Sequence, residues 1–461
     1  MSVSSFSPND DTILALATAP GVGAIAVLRL SGKDAIDICN QVFYGKDLSK
    51  QKGYTLHFGT IKDGEKLIDE VLVSLFRGPK SFTGEDVIEI STHGSPYIVR
   101  EVMRLLLHKG ARLAKAGEFT QRAFLNGRFD LAQAEAVADL IAADSDMAHK
   151  AAMHQMRGGF SQEIAQLREE LIHFASMIEL ELDFSEEDVE FASREQLRSL
   201  IDKLLVAIRS LASSFALGNV IKKGVSTVIA GKPNAGKSTL LNALLNEEKA
   251  IVSEIEGTTR DFIEDTINIE GISFRFTDTA GLRDTSDVVE AMGVARTKSK
   301  MKEASIILYL ADLKKLSIAE LQAETTELQS LNLPILLIGN KSDLLSEQEK
   351  ANWEISFPEM LFISASRKNG LEELKSKLLE TIEKDKIAGS DTIVTNERHY
   401  HQLKQTEKSL MAVITGLENG ISNDFLAMDI RQSLHHLGEI TGSITTEDLL
   451  DNIFSKFCIG K

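Results

Sequence analysis

The stretch KGVSTVIAGKPNAGKSTLLNALL, Lys223 to Leu245, decides the fold of the segment around it. A short apolar run of β-branched residues gives way to a glycine-rich loop and then to a run of helix formers. Within it, GKPNAGKS (Gly231 to Ser238) fits the phosphate-loop pattern G-x-x-x-x-G-K-[ST], with a strand before it and a helix after it. Glycine lets backbone N–H groups wrap a phosphate, and the start of the helix adds more donors and a favourable dipole. Lys237 is placed for the outer phosphates, Ser238 for Mg²⁺, and Asn234, Ala235, Gly236 and Thr239 complete the candidate loop.

Outward from the loop, SIILYLADL (305–313) and LPILLIGNK (333–341) are continuous apolar runs, the pattern of parallel strands covered on both faces. NKSD, Asn340 to Asp343, closes the second run with Asn340 and Lys341. The Asp343 carboxylate can accept hydrogen bonds from the two adjacent donors of guanine, a pair that adenine lacks. SAS (Ser364, Ala365, Ser366) follows a further strand and offers backbone N–H groups for the guanine oxygen. DTAG (Asp278, Thr279, Ala280, Gly281) follows the strand FRFT and brings a carboxylate near Mg²⁺. GTTRD (Gly257 to Asp261) brings Thr259 as a second hydroxyl ligand for that ion. The phosphate loop, GTTRD, DTAG and NKSD, four motifs in that order along the chain, point to GTP hydrolysis by in-line attack of water on the outer phosphate. Leu282 stands where Ras-like proteins carry a water-orienting glutamine, so another group must place the water. Asn234 offers a hard oxygen for a monovalent cation, or serves only to shape the turn.

The rest of the chain brackets this α/β segment. AIAVLRL (24–30), EVLVSLF (70–76) and DVIEIST (86–92) read as strands of an N-terminal unit ending near residue 120. From RAFLNGRFDLAQAEAVADLIAADS onward the apolar spacing becomes three and four, the signature of amphipathic helices, and it returns after residue 384. The predicted boundaries are 1–120, helices over 121–220, the phosphate-loop unit over 221–384, and helices again over 385–461. The two helical segments read as one discontinuous domain with the α/β unit inserted, an arrangement that needs only closely spaced insertion points. Two cysteines in 461 residues exclude a disulfide framework, and no C-x-x-C pair suggests zinc. A net charge of −17 argues against nonspecific coating of nucleic acid. The acidic start MSVSSFSPNDD is unlike a secretory signal and no uninterrupted apolar run is long enough to span a bilayer, so a cytoplasmic protein without membrane attachment is expected. The ending FCIGK fits a prenylation box poorly.

GKPNAGKS, EGTTRD, DTAGLRDTSDVVEAMGVAR and the terminal FCIGK together resemble the MnmE (TrmE) family of tRNA-modification GTPases. SFTGEDVIEISTHGSP (81–96) and RAFLNGRFDLAQAEA (122–136) resemble further signatures of that family. The resemblance implies a multidomain α/β and α+β protein. Its parts are a tetrahydrofolate-binding, dimer-forming N-terminal α+β domain, a discontinuous helical domain and an inserted Ras-like GTPase domain. It implies a K⁺ site formed by Asn234 with Ser253, Ile255 and Thr258, Mg²⁺ on Ser238 and Thr259, and a nucleotide site that also takes in Glu254, Glu256 and Gly257. Glu290 of DTSDVVE matches the glutamate that orients the attacking water; by sequence alone it reads as a helix-surface carboxylate. Lys461 should join Arg29, Glu89 and Arg128 at a 5-formyl- or methylene-tetrahydrofolate site. Physically, the cations suit the carboxylate end of a folate and Glu89 suits the pterin. The implied partners are a second copy of the chain, tRNA, and the FAD-dependent MnmG (GidA) protein, which brings FAD and NADH. Cys458 stays open between nucleophile and packed thiol, and Cys39 on the helix face DAIDICNQVF reads as core. A competing class is a regulatory GTPase that docks on ribosomal RNA during assembly, although no compact basic domain is evident.

Overall fold

A computed structural model describes residues 11–183, 194–248, 264–278, 304–331, 333–382 and 392–460. The chain forms two compact units. One comprises Met1–Ile141, Ala152–Ile208 and His401–Lys461, the other Ala142–Ala151 and Arg209–Tyr400.

The first unit contains a seven-stranded sheet of order β3-β4-β5-β6-β2-β1-β7. Its strands are β1 (Ile13–Leu16), β2 (Ile25–Ser31), β3 (Phe43–Tyr44), β4 (Thr55–Asp63), β5 (Lys66–Phe76), β6 (Val87–His93) and β7 (Arg112–Leu113). All pairs are antiparallel except β1 with β7. Alternation sorts the side chains: Leu28, Leu30, Ile88, Ile90, Val71 and Val73 enter one core with Val102, Leu105 and Leu106 of the helix Pro96–His108. Cys39 is fully buried there, and burial pushes its thiol up to about 12. Arg29 and Glu89 alternate with those core residues and emerge on the opposite face.

The helical signature that follows is interrupted. A helix over Glu118–Leu125 ends at an Asn126–Gly127 turn, where the Arg128 N–H donates to the Ala123 carbonyl at 2.8 Å, and a new helix covers Leu131–Ala142. The Asp130 carboxylate caps it by accepting from the Gln133 N–H at 2.8 Å. The helix Asn423–Thr441 lies against Gly159–Asp183, with Arg431 3.0 Å from Glu179, so helices far apart in sequence share one core. The C-terminal helix Glu447–Phe454 buries Leu450, Ile453 and Phe454 against Leu131 and Ala134, which aims the last residues back toward the sheet.

Among the described residues one stretch, Arg194–Lys223, is long and apolar enough by length and composition to cross a bilayer, although polar residues interrupt its apolar runs. It folds as two helices, Arg194–Ser213 and Phe215–Lys223, and the first is striped. Leu197, Ile201, Leu204, Leu205, Ile208 and Leu211 are buried, at the three- and four-residue spacing of a core-facing stripe, while Val206 stays exposed.

The second unit is a six-stranded sheet of order β13-β12-β11-β8-β10-β9. It is built from β8 (Val225–Ala230), β9 (Glu264–Ile269), β10 (Ile272–Asp278), β11 (Ile306–Asp312), β12 (Ile335–Asn340) and β13 (Leu361–Phe362). Every pair is parallel except the β9–β10 hairpin. Buried clusters occupy both faces, one around Ile229, Leu308 and Phe274, the other around Val228, Ile307 and Trp353. This is a Ras-like phosphate-loop fold, and its loops at the carboxyl ends of β8, β12 and β13 gather the candidate nucleotide residues.

Candidate functional site

The phosphate loop leaves β8 and enters the helix Lys237–Glu248. Lys237 arches back over the loop, its Nζ donating to the carbonyls of Gly231 at 2.8 Å and Lys232 at 3.2 Å. Ser238 and Thr239 are exposed in the first helical turn, so the Ser238 hydroxyl is open to a cation. Gly236 has φ +100°, and a Cβ there would lie 2.3 Å from Asn340 Nδ2. Asn234 has φ +62°, the left-handed region that asparagine tolerates better than most residues, and its side chain is exposed.

Asn340 brackets the site. Buried at the end of β12, it donates from Nδ2 to the Ala235 carbonyl at 2.8 Å and accepts at Oδ1 from the Ala365 N–H at 3.1 Å. One side chain thus ties the phosphate loop to the Ser-Ala-Ser loop. Lys341 reaches across as well, its Nζ 2.6 Å from the buried Asp312 carboxylate and 3.3 Å from the Asn234 carbonyl. Ser364 is clamped by reciprocal backbone bonds with Asn369, and the Ser342 N–H donates to the Ile363 carbonyl. Asp343 lies at the same edge, with Arg367 Nε 3.1 Å from its Oδ2. The loop, Asn340, Lys341, Asp343 and Ser364 to Ser366 are therefore assembled around one crevice. Asp278 ends β10 in register with Ile229, which sets its backbone beside the strand that feeds the loop. Ser253, Glu254, Ile255, Glu256, Gly257, Thr258, Thr259, Thr279, Ala280, Gly281 and Glu290 lie outside the described residues, as does Lys461.

In the first unit, β2 and β6 set Arg29 directly opposite Glu89. Arg29 Nε and Nη2 both approach Glu89 Oε1, at 2.9 and 2.8 Å, which leaves Oε2 without a partner among the described residues. The guanidinium lies 5.5 Å from the Phe82 ring and 5.7 Å from the Phe119 ring. The chain's own tail completes this corner. Ala116 and Ile459 form an antiparallel bridge, the Cys458 carbonyl accepts from the Gly117 N–H at 3.3 Å, and the Gly460 carbonyl lies 3.4 Å from Arg29 Nη1. Gly460 has φ +97°, and a Cβ there would come within 2.4 Å of the Leu16 carbonyl, so only glycine fits this approach. Arg128 is exposed and follows the same loop corner, where Asn126 Nδ2 donates to the Thr83 carbonyl at 2.8 Å. This geometry corrects one expectation. Arg29 and Glu89 form a pair, so they cannot serve opposite ends of an elongated ligand.

Sequence reasoning missed what supports this corner. Arg122, buried, lies 2.6 Å from Asp11, 3.2 Å from Glu85 and 3.2 Å from Glu118, while Arg112 bridges Asp11 and Glu118 at 2.7 and 2.6 Å. Glu85 also accepts from Ser31 Oγ at 2.6 Å, so the cluster pins the loop that carries Phe82. The signal was an arginine and a glutamate at i, i+4 on an otherwise apolar helix face. Arg112 hydrogen bonds hold the Asp11 carboxyl below its ordinary range, helped by Arg122. Burial pushes Glu118 up, but Arg112, the Lys115 N–H and Arg122 outweigh it and the net shift is downward. His93 is exposed, with Nδ1 2.7 Å from the buried Asp69 carboxylate. Among the described residues no group of three or more His, Cys, Asp or Glu side chains is placed to hold a metal ion. A groove of about 730 Å³ is lined by Leu16, Val22, Ile25, Val99, Met103 and Leu107, beside the helix Pro96–His108.

The comparisons with known proteins agree across the chain. Residues 12–128 match the model of the GTP-binding protein TrmE N-terminus, and residues 131–458 match the MnmE helical domain. The tRNA modification GTPase MnmE of Cytophaga hutchinsonii is 60% identical over 461 residues, covering 100% of both chains. The protein of that name from Flavobacterium psychrophilum is 54% identical, covering 98% of this chain and 99% of its own. That from Bacteroides fragilis is 52% identical, covering 98% of this chain and 100% of its own. With the phosphate loop, its Asn340 bracket and the full-length likeness in agreement, this chain belongs to the MnmE (TrmE) family of GTPases.

Proposed function

We propose that this GTPase is K⁺-stimulated and works with the FAD-dependent MnmG (GidA) protein. Together they add a carboxymethylaminomethyl or aminomethyl group to carbon 5 of the wobble uridine of certain tRNAs. The observation that carries the reading is the full-length likeness, tail included, to relatives named tRNA modification GTPase.

Asn234 would hold K⁺ with Ser253, Ile255 and Thr258, and Ser238 would hold Mg²⁺ with Thr259. The exposed Asn234 side chain and the open Ser238 hydroxyl fit those duties. The cations supply positive charge beside the phosphates, where an arginine finger serves other GTPases. Lys237 holds the outer phosphates, Asn340 and Lys341 keep the loop and the base-side edge in register, and Asp343 reads the guanine donors. Glu290 is assigned the orientation of the attacking water.

A folate would be held by Arg29, Glu89, Arg128 and Lys461, and when bound it supplies the one-carbon unit. Glu89 Oε2, without a partner among the described residues, suits the amino and ring N–H donors of a pterin. A homodimer is supported by the open face of the first sheet, where Phe58 and Leu72 sit side by side in register, 65% and 40% exposed, with Ile25 and Leu56 also exposed. A cytoplasmic location without membrane attachment belongs to the same reading.

Reconstitution tests it. The chain, the flavoprotein partner, NADH, methylenetetrahydrofolate, GTP, tRNA and glycine or ammonium should yield a modified wobble uridine by nucleoside mass spectrometry, lost with Lys237→Ala. An unmodified uridine despite active GTP hydrolysis would overturn the assignment.

A further inference from the structure

Lys232, the second residue of GKPNAGKS, is tied to a neighbouring helix. Its Nζ lies 2.7 Å from Glu324 Oε1 and 4.0 Å from Glu320 Oε1, carboxylates one turn apart on the helix Ile318–Gln329. The other oxygen of Glu324 accepts from the Tyr309 hydroxyl. Tyr309 is buried on β11, in register with Ala230, the last residue before the loop. Glu320 is steadied by the Ser317 N–H at 2.9 Å and hydroxyl at 2.7 Å. The tether therefore starts in the core and ends on the loop.

Its loop end matters because the Lys232 backbone is part of the cradle. The Lys232 carbonyl accepts from Lys237 Nζ at 3.2 Å and from the Ala235 N–H at 3.2 Å. A rotation at residue 232 moves an oxygen that fixes the position of the phosphate-binding lysine. A surface ion pair between two freely rotating chains contributes little. Here one partner is oriented by a buried tyrosine and the other sits in a tight loop, so less freedom is lost when they meet.

We propose that Glu324, backed by Tyr309, is a positioning residue for the phosphate loop, holding Lys232 so that the cradle keeps its shape and bound nucleotide leaves slowly. Glu324 touches neither substrate nor reacting atoms, and its effect is carried by the Lys232 backbone. The proposal rests on the loop binding guanine nucleotide.

The test is release of N-methylanthraniloyl-GDP from the full-length chain, followed by stopped-flow fluorescence after a chase with excess GDP. Glu324→Gln and Lys232→Met should each speed release about 2- to 5-fold, the range open to an exposed ion pair, and the gap from wild type should narrow at high salt. Tyr309→Phe should act in the same direction. The charge swap Lys232→Glu with Glu324→Lys should recover part of the slow release, since the pair re-forms without the bond accepted from Tyr309, whereas a purely structural loss would recover none. Release at the wild-type rate in all single variants, with or without a lower melting temperature, overturns the brace while leaving the nucleotide site intact. Failure of the wild-type chain to bind the probe overturns the premise itself.

Discussion

Asn340 Nδ2 donates to the Ala235 carbonyl at 2.8 Å, so the residue that begins the base-reading motif also fastens the phosphate loop. Its Oδ1 accepts from Ala365, and the side chain is buried, so neither bond is readily replaced by water. Asn340→Ala should leave both loop groups without their partner, costing about 1–3 kcal/mol of stability. Guanine nucleotide affinity should fall by about tenfold or more, since each 1.4 kcal/mol is tenfold. Chemical denaturation and nucleotide titration check the two effects. A loss of affinity at unchanged stability would mean that Asn340 acts on the base alone.

Arg29 and Glu89 behave as a unit, so their variants should differ in kind. Arg29→Ala removes the cation that the Glu89 carboxylate leans on, together with the contact to the Gly460 carbonyl. Binding of 5-formyltetrahydrofolate, measured by calorimetry, should weaken on the order of 10- to 100-fold, the worth of a charge-assisted hydrogen bond. Glu89→Gln keeps shape and one acceptor and should lose less. Equal affinity in wild type and Arg29→Ala would remove the folate site from this corner.

The cluster around Arg122 makes an acid-stability prediction with a definite sign. Asp11 and Glu118 have folded-state values below their ordinary ones, so the unfolded chain binds more protons in the window between them. Their contribution is therefore fully present above the ordinary carboxylate values and is lost as pH falls through the folded values. Denaturation curves of the wild type should show stability dropping below about pH 4.5, and Glu118→Gln should flatten that drop. At neutral pH, Arg122→Ala leaves Glu85 without its arginine while Asp11 and Glu118 keep Arg112, and should cost about 1–3 kcal/mol. A wild type whose stability rises on acidification would contradict the assignment.

Thiol reactivity separates the two cysteines. The Cys39 thiol is buried and pushed up to about 12, whereas Cys458 is exposed in the tail. Thiolate is the reactive form, so an aromatic disulfide reagent should titrate Cys458 quickly in the native chain and Cys39 only after unfolding. Two fast thiols in the native state would show that the core around Cys39 is open.

Much of the second unit was legible in the sequence because its strands are covered on both faces. SIILYLADL and LPILLIGNK became β11 and β12 nearly residue for residue. The phosphate loop was legible because its chemistry demands glycine, lysine and serine at fixed spacing. The second job of Asn340 was hidden, since its partner lies 105 positions away and is a backbone carbonyl that any residue supplies. Strand register likewise set Arg29 against Glu89, 60 positions apart, and dissolved the idea that they serve different ends of a ligand. The Arg122 cluster joins residues up to 111 positions apart, and single-residue patterns carry no trace of such pairings. The break at Asn126–Gly127 interrupts a run that reads as continuous helix, because a turn bond from Arg128 to Ala123 ends it early. The Arg194–Lys223 stretch shows the converse. Composition alone admits a bilayer span, and only the folded helices reveal which of its residues are covered.

Steady-state GTP hydrolysis in K⁺ and in Na⁺ at matched ionic strength is the decisive measurement for the proposed cation assistance. A large stimulation by K⁺ that Asn234→Ala abolishes is expected. Equal rates in the two salts, or a K⁺ stimulation that survives Asn234→Ala, would contradict it.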